Sequence, residues 1–204
     1  MNFSTDRDLL ALEPSLFYDV PIASQLRLQV SDAAVAGTVL TSATADFVAA
    51  QVESGSVVLL DNTALEVLTR ASATTLTVSR LRNRLGDAAI APAPGTGLTL
   101  VVRTFAPQAT LVHDLLLGAL QLTDDEPVVS LSAMAHLEAL GTLERVYAAA
   151  VTFAGDQPGL ERKADHYRVR FAQALRRCPV LLDLDGDGVA DTRRCLASAE
   201  LVRV

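Results

Sequence analysis

Tryptophan is absent from this chain and aromatic residues make up only 4% of its 204 positions, so any core it forms is aliphatic. Lysine is almost absent too: Lys163 is the only one, and arginine carries nearly all of the positive charge. Arginine suits bidentate and interface contacts, although a GC-rich genome produces the same bias. Acids outnumber bases, for a net charge of −7. That balance argues against general nucleic-acid affinity, because a phosphate-binding surface needs a basic excess. No run approaches the roughly 18 apolar residues of a membrane span. The start is polar and charged (Asn2, Asp6, Arg7, Asp8) and resembles no secretory leader. These absences predict a soluble protein of a reducing compartment, in which Cys178 and Cys195 stay as thiols.

Signatures of catalysis are also missing. The chain has no phosphate loop, dinucleotide fingerprint, nucleophile elbow or Cys–His arrangement, and Gly95-Thr-Gly97 is too short to count. His113, His136 and His166 fall on three different predicted helices without a supporting ligand pattern, so each reads as a helix-surface or boundary residue. No enzyme and no obligatory cofactor are expected.

What is present is a hydrophobic half, at 50% of residues, in a chain long for one domain and short for two. One core plus an insertion is the natural expectation. Ser4 or Thr5 can cap a short helix through residue 13, with Asp6 and Asp8 in its first turn and Pro14 beyond its end. Six β-rich runs follow between turn signals: Leu26–Val30, Thr38–Thr41, Val57–Leu60, Leu65–Thr69, Thr75–Leu81 and Leu98–Phe105. Ala43–Val52 interrupts them as one helical turn capped by Thr44, and the Pro/Gly-rich stretch Ala91–Gly97 reads as an exposed loop. Short strands at this density suggest a small barrel or sandwich, since closure hides strand edges.

Three helices are predicted after Pro107. The first is apolar on most sides and so expected to be central; the second spans about 130–153 and the third about 159–177. The expected fold class is therefore α+β: a helical bundle with an inserted small β-domain near the N-terminus and a C-terminal β-hairpin. Its parts are residues 1–24 (first bundle helix), 25–105 (β-domain), 106–178 (bundle) and 179–204 (hairpin and tail).

Two features carry candidate chemistry. Asp183, Asp185, Asp187 and Asp191 match positions 1, 3, 5 and 9 of a calcium loop, with Gly188 at the sharp turn. Arg194 stands where the bidentate glutamate belongs, and Pro179 ends the preceding helix. The competing reading is a plain hairpin in which Leu181–Asp185 pairs with Val189–Arg193 around Asp-Gly turns. The hairpin is favoured; calcium stays open. The second feature is the basic third helix, where Arg162, Lys163, Arg168, Arg170, Arg176 and Arg177 face only Glu161 and Asp165. Docking to an acidic partner or neighbouring subunit ranks ahead of a merely solvated face, and DNA comes last for want of interleaved aromatics or a recognition motif. The apolar tail residues Leu201, Val202 and Val204, with Arg203, suit strand addition to a partner.

Three stretches resemble head–tail connector (adaptor, or head-completion) proteins of long-tailed bacteriophages. They are Thr5-Asp-Arg-Asp-Leu-Leu-Ala-Leu-Glu-Pro14 with Leu16-Phe-Tyr-Asp19, then Leu40–Phe47 with Val52-Glu-Ser-Gly55, and finally Tyr167–Leu175 with the Leu-Asp-Leu-Asp-Gly-Asp-Gly turn. The resemblance implies a virion structural protein at the neck, assembled in the host bacterial cytoplasm. It implies a ring, of twelve copies, that joins the capsid portal to the tail or neck terminator protein. Genomic DNA would only pass through the lumen. The β-insertion departs from a minimal adaptor.

Overall fold

The computed structural model describes residues 2–122, 128–154, 157–183 and 185–195. The chain divides into two compact units, residues 6–105 and residues 1–5 with 106 onward. Each is built differently.

In the first unit, six strands close into an antiparallel barrel: β1 (Leu26–Ala36), β2 (Val39–Thr41), β3 (Val57–Leu60), β4 (Thr63–Arg70), β5 (Thr75–Arg80) and β6 (Gly95–Arg103). The order around the barrel is β1-β2-β5-β4-β3-β6, and β6 returns to pair with β1. Asp61 and Asn62 make the two-residue β3–β4 turn at φ 43° and 65°, the left-handed pair that a tight hairpin requires. Alternation in β5 sends Leu76 and Val78 inward, while all four residues of β3 are buried. β1 runs six residues beyond its predicted end. Register shifts carry it around the corner, so Val35 meets Gly95, and the predicted loop residues Gly95–Gly97 become the start of β6. The segment before β3 is turned by Asp46, whose carboxylate accepts the Val48 and Ala49 N–H groups, rather than by Thr44. Phe47 is thereby placed in the barrel core with Leu40, Leu65, Leu76 and Leu100.

Helix α1 (Asp6–Leu12) and the short α2 (Leu16–Asp19) belong to this same unit. Leu9, Leu10, Leu16 and Phe17 are buried, and Phe17 meets Phe105 edge-on at 5.2 Å between ring centroids.

The second unit contains α3 (Ala106–Leu120), α4 (Leu131–Ala154), α5 (Pro158–Arg177) and the antiparallel pair β7 (Pro179–Leu182) and β8 (Thr192–Cys195). α4 packs against both α3 and α5. Gly141 makes that approach possible, since a Cβ there would sit 2.8 Å from Val112 and 2.9 Å from Phe171. β7 turns Val180 and Leu182 into a core shared with Val112, Leu116, Met134 and Leu137. Pairing follows the register expected for the hairpin but stops at Leu182–Thr192, so the described residues between them, 183 and 185–191, lie in a longer loop.

The expected architecture, a helical bundle with a small β-domain inserted in it, is not what forms. The chain is a mixed α+β protein with a closed six-stranded antiparallel barrel and five helices among the described residues. The physical reason lies in α1. Its Arg7 is committed to Glu66 on β4 and its Asp6 to the Phe105 N–H, so the helix covers the barrel instead of joining α3–α5.

Candidate functional site

The aspartates between β7 and β8 first serve their own backbone. Asp183 is buried, and its two carboxylate oxygens accept the Gly186 and Gly188 N–H groups, each at 2.7 Å. Asp185 accepts from the Asp187 N–H at 3.2 Å, Asp187 from the Val189 N–H at 2.7 Å, and Asp191 from the Asp185 N–H at 3.3 Å. Gly186 and Gly188 have φ of 79° and 85°, which side-chain-bearing residues rarely adopt. The Gly188 N–H is the main reason the Asp183 carboxyl lies below its ordinary pKa; burial opposes the shift and the Gly186 N–H adds to it. One carboxylate oxygen from each of Asp183, Asp185 and Asp187 lies within 4.8 Å of the others, so these three can share one divalent cation. Calcium takes six to eight oxygens, and backbone carbonyls or water would have to complete the shell. Asp191 stays outside this trio and stiffens the loop through Asp185. Arg194, the residue in the place of the missing glutamate, donates to the Leu120 and Gln121 carbonyls at the end of α3, at 3.0 and 3.1 Å.

The five predicted partner-binding arginines of α5 make different local contacts. Arg170 lies over the Tyr167 ring at 5.8 Å, as Lys163 does over Tyr147 at 5.4 Å. Arg168 pairs with Asp165 at 2.8 Å, an exposed contact that contributes little. Arg162 donates to the Pro158 carbonyl, while Arg176 and Arg177 are exposed in the last turn, where cations complement the helix end. The other predicted contact residues, Leu201, Val202, Arg203 and Val204, lie outside the described residues.

The most strongly built polar groups were not anticipated from sequence. In the helical unit, Glu138 is fully buried. Its carboxylate accepts the Phe3 and Ser4 N–H groups at 3.1 and 2.8 Å and the Ser4 hydroxyl at 2.6 Å, and pairs with His113 Nδ1 at 2.8 Å. His113 is buried under Phe3 and is not a helix-surface residue. His136 and His166 are exposed, on α4 and α5. In the barrel unit, the buried Glu66 accepts from Arg7 Nε at 2.8 Å and Arg82 Nε at 2.6 Å, and Arg7 also donates to the Arg82 carbonyl. No local pattern marks either group, because Glu66 meets Arg7 across 59 residues of sequence and Glu138 meets Phe3 across 135.

Comparison with protein families, curated proteins and solved structures found no match. Among the described residues no helix is long and apolar enough to cross a membrane.

Asp6 gives the barrel unit a pH dependence. Burial is the main cause that pushes its pKa up to about 6 from 3.8, against the Phe105 N–H, Thr104 and Arg27. Below 3.8 the side chain is neutral in both folded and unfolded chains, so ionisation costs nothing. As pH rises through that value the unfolded chain ionises first, and stability falls until the folded carboxyl also ionises near 6. The loss totals about 3 kcal/mol. Asp6→Asn is expected to flatten this part of the stability curve, as read by urea unfolding at several pH values across that window. An unchanged slope would remove Asp6 as its source.

Proposed function

We propose that this chain is a virion structural protein of the head–tail connector kind. Copies join head to tail in a ring, expected to hold twelve, between the portal and the tail or neck. The observation that carries this reading is the charge layout of the helical unit. Exposed Arg162, Arg176 and Arg177 stand on α5, while exposed Asp185 and Asp187 stand on the loop between β7 and β8. A surface bearing both signs on different features complements an identical neighbour, and a heterologous contact of that kind generates a ring when its rotation closes. The net charge of −7 suits a lumen through which DNA slides without being held.

Mass photometry of the protein with and without portal tests this. Ring-sized assemblies should form at low salt, shrink as salt is raised, and be lost in the double variant Arg176→Glu, Arg177→Glu. A chain that stays monomeric and ignores portal at low salt rules the reading out.

A second reading, a calcium-dependent binding module, is favoured by the three convergent oxygens of Asp183, Asp185 and Asp187. Millimolar calcium is then expected to give binding heat in a calorimetric titration and to raise the unfolding midpoint. The stabilisation would be about 2.7 kcal/mol at a hundredfold excess over Kd. Asp185→Ala should abolish both effects; no heat and no stabilisation in the parent protein would end this reading.

A further inference from the structure

Helix α3 is amphipathic in position but not in composition. Its inner face buries Ala109, Val112, Leu116, Leu117 and Leu120. Its outer face is also apolar: Leu111 is 57% exposed and Leu115 42% exposed, with Gly118 and Ala119 continuing the exposed strip toward the helix end. Asp114 is the only charged residue among the exposed positions of this helix. An apolar strip of this kind on a helix calls for a cover.

The path of the chain supplies one. β8 ends beside the C-terminal turn of α3, because Arg194 donates to the carbonyls of Leu120 and Gln121 at 3.0 and 3.1 Å. The residues that follow, 196–204, read Leu-Ala-Ser-Ala-Glu-Leu-Val-Arg-Val, with Leu196, Leu201, Val202 and Val204 as large apolar groups. Nine residues reach up to about 30 Å when extended. The 15 residues of α3 span about 22 Å. The segment is thus anchored at one end of the strip and long enough to run its whole length.

We infer that residues 196–204 dock on the outer face of α3 of their own chain, covering Leu111 and Leu115. This goes beyond the connector reading and does not depend on it.

Cross-linking with a short bismaleimide tests the pairing directly. The protein would carry Leu115→Cys and Val202→Cys in a background with Cys178→Ser and Cys195→Ser. The expected product is an intrachain link at monomer mass, absent when either introduced cysteine is omitted. A second measurement uses a chain ending at Cys195. Its apolar dye fluorescence should rise severalfold over the full chain, and Leu111→Lys with Leu115→Lys in the shortened chain should reverse the rise. Links found only between chains would mean that the strip takes the segment of a neighbouring copy, and would overturn the inference. So would the absence of any link, or dye binding that shortening leaves unchanged.

Discussion

Glu66→Ala is expected to destabilise the barrel unit by about 3–5 kcal/mol, the cost of leaving buried charges without their counter-ion. Arg7 and Arg82 converge on this one carboxylate from α1 and from the segment after β5, and their side chains are only 9% and 11% exposed. Losing Glu66 therefore takes the carboxylate from Arg82, leaves Arg7 only the longer 3.6 Å pair with Asp8, and loosens α1 from β4 in one step. Urea unfolding followed by circular dichroism measures the loss directly. The same residue predicts an acid limb. Burial alone would raise its carboxyl, but the hydrogen bonds from Arg82 and Arg7 outweigh it and hold the group below its ordinary 4.5. A carboxyl depressed in the folded state stabilises it above the unfolded value, and that contribution disappears as pH falls through the folded one. The parent protein should lose stability below about pH 4.5, and Glu66→Ala should lack that part of the decline. A variant that unfolds at the parent's urea concentration would show that the triad contributes nothing net.

The second large effect is expected at Glu138. Glu138→Ala removes a fully buried acceptor that serves two backbone N–H groups, one hydroxyl and the His113 ring. Each buried donor left unmet costs about 1–3 kcal/mol, so the helical unit should lose several kcal/mol even with partial relaxation. Ser4→Ala deletes only the hydroxyl bond and should cost about 1 kcal/mol. Amide hydrogen exchange provides the site-specific check, because Phe3 and Ser4 should lose protection first in Glu138→Ala. Retained protection at both amides would mean that other contacts hold residues 2–5 in place.

These two groups also mark the boundary of what could be read from the amino-acid order. Local patterns did well: the six β-rich runs correspond to the six strands, and α3, α4 and α5 begin and end within a few residues of their predicted bounds. What failed was long-range. Nothing in residues 4–13 distinguishes a helix that covers a barrel from one that joins a bundle; the answer is the Arg7–Glu66 contact. α3 was expected to be central because it is apolar on most sides, yet Leu111 and Leu115 face outward. Periodicity reports how many faces are apolar, and says nothing about what each one meets. The acidic loop was more legible. Its aspartate spacing pointed to four carboxylates, of which Asp183, Asp185 and Asp187 converge while Asp191 does not, and it gave no sign that Asp183 would be buried and already committed to Gly186 and Gly188. In α5 the count of cations was plain, whereas the stacking of Lys163 and Arg170 on tyrosines depended on the packed structure.

The return of β6 to β1 leaves the sheet with neither a first nor a last member. Peeling away any one strand would orphan the main-chain groups of two neighbours at once, so partial opening is penalised from every side. Such a unit should melt all-or-none, with little fraying, and should seed no cross-β growth until it has come apart completely. That cooperativity is itself a form of resistance to local opening.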